Sequence, residues 1–350
     1  MYPLADLLTI ALLTFLCGGE DYVDMSVFAA TRARSYGLLK GCKTSPSPDT
    51  FERLMKAVSP REIERCLLQY GKQFLYSLVE KQIAIDGKKL RGTHPRAKGT
   101  EGEYLLSAFV CENELVIGQL ALTGKENEIT AIPKLLDNIE IEGATVTIDA
   151  IGTQVEIAQK ILNKKADYML AAKNNQKFTR MAIEETFALN ADAIIDEYST
   201  LDCGHGRVED RCCQIMRAES LIDKEIDGRW PGLKTFVKIT SKVSRGDATE
   251  ESVRYYIRSD DYPKAEYYYL LARGHWGIEN QLHWHLDVNF HEDASRARTG
   301  YAPQNLSLIR KLALQIIKNH PDTKHSRKKK RFLAAMDCDY FTEIIRNAQF

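Results

Sequence analysis

The sequence predicts a mixed α/β fold, in which a helical unit precedes a sheet that carries helices on its faces. Three observations indicate this class. Apolar residues recur at helical spacing over the first 80 residues, three strand-like runs then lead into alternating helices and strands, and a strand-rich stretch follows before helices return. A chain of 350 residues also exceeds what one hydrophobic core usually serves, so two or three packed units are expected.

Composition excludes several classes of protein. Apolar residues make up 44% of the chain, and 48 basic residues balance 48 acidic ones, so neither disorder nor a charge-selected partner is indicated. Eight cysteines without a CxxC pair favour free thiols in a reducing cytoplasm. The most apolar run, residues 7–17, is shorter than the ~20 residues of a membrane span, and the start MYPLAD lacks the basic residues of a signal peptide. No membrane association is expected.

The helical unit is predicted over residues 1–80. Two capped helices start near Ser47 and Ser59, each followed by an amphipathic pattern. Such a pair can read DNA, but helix pairs are also common structural elements, so both interpretations stay open.

Residues 81–193 carry the main pattern. The runs QIAID, EYLLSAFVCE and ELVIGQLAL predict three strands, and EITAIPKLLDNI, ATVTIDA, QVEIAQKILNKKA and DYMLAAK then predict helix, strand, helix and strand. The order βββαβαβ is that of the ribonuclease H-like fold. Residues 194–260 are predicted to be a β-rich insertion. Residues 261–350 are predicted to complete the core, with a basic tail at Lys324–Arg331 and a final short helix.

Two aspartates follow apolar runs at strand ends, Asp86 in IAIDGKKLRG and Asp149 in VTIDAIGTQ. Their strands are expected to be parallel neighbours, and α/β sheets bind ligands beyond the carboxyl ends of strands. Oxygen ligands favour Mg²⁺ or Mn²⁺ over zinc. A single such Asp is often only a turn residue, but two at these strand ends are more specific.

A third carboxylate is expected in HWGIENQLHWHLDVNFHED, and Glu279 is the choice because it lies one helical turn from both His275 and His283. Asp287, Glu292 and Asp293 are rivals, of which the last two better suit a solvated helix end. Zinc is disfavoured because His283 and His285 would lie about 200° apart on a helix. Trp276 and Trp284 are expected mainly in the core, with base stacking as the alternative.

Long segments of the chain resemble a known family. IDGKKLRG, KENEITAIPKLLDNIEIEGATVTIDAIGTQ, DYMLAAKNNQ, HGRVEDR and ARGHWGIENQLHWHLDVNFHEDASRAR together are similar to the DDE transposases of bacterial insertion sequences, in the group that contains the H-repeat-associated proteins. The resemblance implies a ribonuclease H-like catalytic domain with Asp86, Asp149 and Glu279 as the metal-binding triad. Members often have Cys at the position of Thr153 and His at that of Pro48, and usually begin with additional residues.

The wider family pattern Y-x2-R-x3-E-x6-K is only partly met. With its Glu at Glu279, the other positions are Ala272, His275 and Leu286. Leu286 cannot contact a phosphate, so that role must belong to another residue or be absent.

The resemblance implies an enzyme that cuts DNA at the terminal inverted repeats of a mobile element and joins the 3′ hydroxyls to target DNA, using two Mg²⁺ or Mn²⁺ ions about 4 Å apart. A dimer on DNA, in the nucleoid of a bacterial cytoplasm, is expected. The alternatives are an inactive or repurposed DNA-binding relative, which the abrupt start would suit, and a stand-alone ribonuclease H-like nuclease.

Basic residues near the expected site or in charged segments are candidate DNA contacts, although a solvated surface role is the common alternative. These candidates are Lys88, Lys89, Arg91, Lys173, Lys177, His205, Arg207, Arg211, His275, Lys328, Lys329 and Lys330.

Overall fold

A computed structural model of the chain describes residues 2–94, 102–122, 126–204, 206–221, 226, 228–246 and 248–348. Four helices precede the first strand. They are α1 (Leu4–Leu16), α2 (Tyr22–Thr31), α3 (Pro48–Ala57) and α4 (Pro60–Gly71). Proline in the first turn of α3 and of α4 helps to start each helix, because its fixed φ suits that position and its missing N–H has no helical partner there.

The strands and helices of the central part follow the predicted order. They are β1 (Gln82–Lys89), β2 (Tyr104–Val110), β3 (Leu115–Leu122), α5 (Glu128–Asn138), β4 (Thr145–Ile148), α6 (Val155–Asn163), β5 (Asp167–Ala172) and α7 (Lys177–Leu189). Antiparallel pairing joins β1 to β2 and β2 to β3, whereas β4 lies parallel to both β1 and β5. This arrangement confirms the ribonuclease H-like mixed sheet.

The β-rich segment forms four long strands, which are β6 (Ile194–Gly204), β7 (Arg207–Arg217), β8 (Thr235–Arg245) and β9 (Ala248–Arg258). They continue the same sheet, because β9 pairs antiparallel with β5. The strand order across the described sheet is β3-β2-β1-β4-β5-β9-β8-β7-β6. The predicted insertion is therefore an extension of the sheet that carries the site.

The C-terminal part is helical. It contains α8 (Ala265–His275), a π-helical segment (Ile278–His283), α9 (Trp284–Phe290), α10 (Ala302–Asn319), α11 (Arg327–Met336) and α12 (Cys338–Asn347). Most of the basic segment that was predicted as a tail lies in α11, whose N-cap is Ser326, with its hydroxyl accepting from the Lys329 N–H. In that helix Lys330 and Arg331 are buried.

The two faces of the sheet pack against different sets of helices. One face packs against α5, α6 and α7 through residues such as Ile83, Ile85 and Val146. On the other face, Ala84 and Phe109 belong to a core shared by α1–α4, α9, α10 and α12. The boundary predicted near residue 80 therefore does not separate two independent cores. No described helix is both long and apolar enough to cross a lipid bilayer.

Candidate active site

The register of the sheet brings Asp86 and Asp149 together, although Asp86 lies within β1 and not at its end, because β1 continues to Lys89 in its pairing with β2. Ile85 on β1 pairs with Ile148 on the parallel strand β4. Asp86 and Asp149 are the next residues after this pair, so they are neighbours across the sheet. Neighbouring strands lie about 5 Å apart, and both aspartates follow their apolar runs at the same sheet edge. The 63 residues that separate them in sequence are bridged by one strand spacing.

Asp86 is the more buried of the two, with 23% of its side chain exposed. Burial, together with the nearby carboxylates of Glu128, Glu279 and Asp149, raises its pKa to about 7 against the opposing effect of a hydrogen bond from the Gly87 N–H. The ion pairs of the described residues give Asp86 one partner, His283, whose Nδ1 lies 3.4 Å from Asp86 Oδ2. Burial lowers the pKa of that imidazole to about 3, so His283 is neutral near pH 7.

Asp149 is more open, with 55% of its side chain exposed, and Lys173 Nζ lies 2.8 Å from its Oδ1. Although partial burial opposes ionisation, the Lys173 ammonium keeps the pKa of Asp149 below its ordinary value. Beside it, His275 Nδ1 lies 3.1 Å from Thr147 Oγ1, and burial lowers the pKa of His275 to about 4. Each aspartate therefore has a neutral imidazole in its neighbourhood.

Glu279 lies on the π-helical segment, between the buried residues Ile278 and Leu282, and is exposed. The sequence predicted one α-helical stripe for His275, Glu279 and His283, but a π turn holds more residues and rotates those that follow it. The expected burial of the flanking tryptophans is wrong, since Trp276 is 37% and Trp284 is 51% exposed.

Trp276 is instead held by two guanidinium groups. The Cζ atoms of Arg254 and Arg273 lie 4.7 and 5.2 Å from its ring centroid. Such cation–π contacts stabilise a partly exposed indole without a surrounding core.

Asp86 and Asp149 thus lie on neighbouring parts of the sheet, and the charges of Asp149 and of Glu279, on the π-helical segment, both act on Asp86. These three carboxylates do not form a closed cage, because no three His, Cys, Asp or Glu side chains in the described part of the chain lie close enough to hold a metal ion. Like charges repel, which disfavours close approach of these side chains. As a donor set, carboxylate oxygens at an open sheet edge suit Mg²⁺ or Mn²⁺.

One predicted DNA contact is wrong for a clear physical reason. Lys88 has only 11% of its side chain exposed, and its Nζ lies 2.8 Å from Glu292 and contacts Asp287. Its charge is fully engaged inside the protein. Glu292, which the sequence placed at a solvated helix end, is 1% exposed.

Two further candidates are engaged in the same way. Lys330 is buried, and its Nζ donates to the carbonyl oxygens of Ile317 and His320 at 3.1 Å, where it caps the end of α10. Arg211 is 9% exposed and pairs with Glu209 and Asp202. Neither side chain is presented to a partner.

The remaining candidates differ in their accessibility. Arg91, Lys173, Lys177, Lys328 and Lys329 are exposed, as is Arg207, whose Nε lies 2.5 Å from Glu209. Lys89 is partly exposed, and His205 lies outside the described residues. The exposed set near the aspartates is therefore Arg91, Lys173 and Lys177.

Reasoning from the sequence did not single out Glu128, whose carboxylate acts on Asp86. It is the first residue of α5, which starts just after β3 ends at the same edge of the sheet as Asp86. The signal was present in KENEIT, where Asn127 caps a helix whose first residue is acidic. What the sequence lacked was the register that brings this helix start to the aspartates.

Comparisons with known proteins identify the family of the chain. A family model described as "Transposase DDE domain" matches residues 78–316, and a "DDE_Tnp_1-associated" model matches residues 1–71. YncI of Escherichia coli O157:H7 is 35% identical over 353 residues, covering 98% of this chain and 89% of its own length. YhhI of Escherichia coli K12 is 34% identical over 356 residues, covering 98% of this chain and 92% of its own.

Both relatives carry the word transposase in their names, and YhhI is also named as H repeat-associated. A solved piggyBac transposase synaptic complex with hairpin DNA matches with a TM-score of 0.44 and 12% identity, covering 98% of this chain and 71% of that one. The family match over residues 78–316, with the full-length sequence relatives, establishes that this chain belongs to the DDE transposase family, in the group of the H repeat-associated proteins.

Proposed function

We propose that the protein cleaves DNA strands at the ends of an insertion sequence and joins them to target DNA in a reaction that depends on divalent metal ions. The observation that carries this proposal is the adjacency of Asp86 and Asp149, which directly follow the last residue pair that joins β1 to β4. Membership of a DDE transposase family supports the same chemistry.

In this proposal Asp86, Asp149 and Glu279 would hold Mg²⁺ or Mn²⁺. When bound, such ions would activate the attacking hydroxyl and stabilise the leaving oxygen of an in-line phosphoryl transfer. The pKa of Asp86, raised by burial and by three neighbouring carboxylates, indicates a site that an added positive charge would stabilise. No covalent protein intermediate is required.

The side chains around the triad would position DNA. Arg91 is 85% exposed and Lys173 is 54% exposed, and Lys177 begins α7 beyond β5. To reach a phosphate, Arg91 must exchange Asp293 for it and Lys173 must exchange Asp149. His275 and His283 carry no charge near pH 7, so they would orient neighbouring groups through hydrogen bonds.

The proposed partners are terminal inverted repeats and target DNA, bound by a dimer. Joining two ends of one element to one target requires both ends in one complex, which a two-fold assembly supplies. Light scattering of the protein with and without end DNA tests this assembly, and a complex with one chain per two ends contradicts it.

The decisive experiment is a cleavage and joining assay with DNA that carries the inverted repeats flanking this gene. Wild-type protein in Mg²⁺ is expected to nick the ends and to yield joined products. Asp86→Asn and Asp149→Asn are expected to lower the cleavage rate at least ~1,000-fold, since each removes an oxygen charge from the reacting centre, with DNA affinity nearly unchanged.

Other outcomes identify the alternatives. Binding to the repeats without nicking in Mg²⁺ or Mn²⁺ means a DNA-binding relative without catalysis. Nicking of branched or hybrid substrates without joined products means a ribonuclease H-like nuclease. Unchanged cleavage by both Asn variants rejects the site.

A further inference from the structure

A fourth carboxylate, Glu128, lies close to Asp86, and its position is fixed by the start of α5. The Asn127 side chain accepts a hydrogen bond from the Thr130 N–H at 3.1 Å, and Thr130 Oγ1 accepts from the Asn127 N–H at 3.2 Å. This capping box makes Glu128 the first residue of the helix.

The sheet register places that helix start at the active edge. Leu122, the last residue of β3, pairs with Tyr104 of β2. Tyr104 in turn pairs with Lys89, the last residue of β1. The chain then enters α5 after residues 123–127. Glu128 therefore lies at the same edge as Asp86, on the face of the sheet that α5 covers.

Direct contacts hold the Glu128 side chain against the backbone of β1. The Tyr104 hydroxyl donates a hydrogen bond to Glu128 Oε1. A Cβ atom built on Gly87 would lie 2.5 Å from Glu128 Oε1 and 2.3 Å from Tyr104 Cε1, closer than any real Cβ contact. A side chain at the glycine of the IDGK motif would therefore displace Tyr104 and Glu128, because both pack directly on the residue after Asp86.

The charge of Glu128 acts on Asp86. Glu128 Oε1 would lie 2.5 Å from a Cβ atom on Gly87, so its carboxylate sits against the residue next to Asp86. Asp86 and Glu128 lie on opposite faces of β1. Their effect on each other is therefore electrostatic and acts across the strand. The same charge that repels Asp86 attracts a cation.

A purely structural role would not require this charge. An acidic residue in the first turn stabilises a helix by only ~0.3–1 kcal/mol, and a glutamine oxygen would accept the Tyr104 hydrogen bond equally well. Glu128→Gln therefore keeps the shape and the hydrogen bond and removes only the charge.

We propose that Glu128 is a positioning residue for the metal site, whose negative charge raises the affinity of Asp86, Asp149 and Glu279 for divalent cations. This inference rests on the proposed function. It adds to the three proposed ligands a fourth carboxylate, which acts on the metal site by its electric field. Tyr104 holds this carboxylate in place.

The test compares Glu128→Gln with Glu156→Gln, a matched control in the first turn of α6 whose charge is not among those that act on Asp86. Calorimetric titration with Mn²⁺, without DNA, gives the metal affinity of the whole protein. Cleavage of DNA that carries the ends of the element is then measured over a range of Mg²⁺ concentrations. These rates give the half-saturating Mg²⁺ concentration separately from the cleavage rate at saturation. A third variant, Glu128→Asp, keeps the charge.

Glu128→Gln is expected to weaken Mn²⁺ binding and to raise the half-saturating Mg²⁺ concentration by about 5- to 30-fold. This is the effect expected when one negative charge is removed from the surroundings of a partly solvated cation. Its saturated rate should stay within about threefold of wild type. Glu156→Gln should match wild type, and Glu128→Asp should recover most of the metal affinity. Thermal unfolding without metal checks that the variants fold.

Three results would overturn the inference. A Glu128→Gln protein that binds Mn²⁺ like wild type shows that the charge has no role in metal affinity. A saturated rate that falls at every Mg²⁺ concentration, with affinity retained, makes Glu128 part of the reacting centre instead. Equal losses in Glu128→Gln and Glu156→Gln show a general helix effect. If wild type binds no Mn²⁺ and cleaves no DNA, the proposed function itself is wrong.

Discussion

Two acidic clusters lie at the end of β1, on the same face of the strand, and they differ in what neutralises them. Asp86 belongs to the open cluster, with Asp149 and Glu279 near it. Two residues further on, Lys88 enters a closed cluster, in which its Nζ lies 2.8 Å from Glu292 and 3.9 Å from Asp293 and contacts Asp287.

Glu292 and Asp86, the most buried carboxyl group of each cluster, respond in opposite directions. Although burial opposes it, the nearby cations Lys88, Arg310 and Lys311 lower the pKa of Glu292 to about 2. Burial and neighbouring carboxylates raise the pKa of Asp86 to about 7. The comparison teaches that the buried structural carboxylate Glu292 has a cation of the protein itself as its partner. Asp86 has only a neutral imidazole beside it, and this lack of a cation suits a group that binds an external one.

The largest expected effect comes from removing the internal cation. Lys88→Met should lower the free energy of unfolding by about 3–5 kcal/mol, because it leaves Glu292 charged and buried without its partner. Asp86→Asn, in metal-free buffer, should not destabilise the protein, since it relieves repulsion. Urea denaturation of both variants measures the difference. Equal destabilisation by the two substitutions would remove the distinction between the clusters.

A pH titration sharpens the same contrast. Since the folded-state pKa of Glu292 lies below its ordinary value of 4.5, its contribution to stability is present above about pH 4.5 and is lost as pH falls toward 2. The loss should approach about 3 kcal/mol across that window. Denaturation at several pH values should show a smaller loss in Glu292→Gln than in wild type, with Glu156→Gln as a control that keeps the wild-type slope.

A smaller effect on stability is expected at Gly87, where Tyr104 and Glu128 pack on the backbone of β1. Gly87→Ala should cost about 1–3 kcal/mol of stability, because the new methyl group displaces Tyr104 and Glu128. The double variant Gly87→Ala with Tyr104→Phe should recover part of the loss by removing the hydroxyl oxygen 2.5 Å away. Thermal unfolding compares the two proteins, and a double variant less stable than the single one contradicts the steric explanation.

The smallest effect is expected at the neutral imidazole. His283→Gln keeps a polar group near Asp86 Oδ2 but changes its geometry, so cleavage at saturating Mg²⁺ should fall about 3- to 10-fold. Folding should be little affected, and circular dichroism provides the check. A loss as large as that of Asp86→Asn would place His283 in the reacting centre.

The sequence predicted the local parts of this molecule well. Each strand of the central order is a short apolar run bounded by turn residues, and each aspartate directly follows its run, so both could be found from periodicity alone. The adjacency of Asp86 and Asp149 then followed from the strand order. Whether they bind metal remains a prediction.

Features that depend on distant contacts could not be predicted. HEDAS has the composition of a solvated helix end, yet Glu292 is buried by Lys88, which lies 204 residues earlier in the chain. The exposure of Trp276 and Trp284 accompanies a π turn that no residue pattern announces. The role of Lys88 was mistaken for the same reason, since its partners come from α9 and the turn after it.

The pairing of β5 with β9 has a practical consequence for anyone who wishes to shorten this protein. A version without residues 194–258 would leave the backbone amides and carbonyls of β5 exposed along a bare edge. Such edges recruit strands from other molecules, so the trimmed protein should aggregate unless a replacement strand covers it.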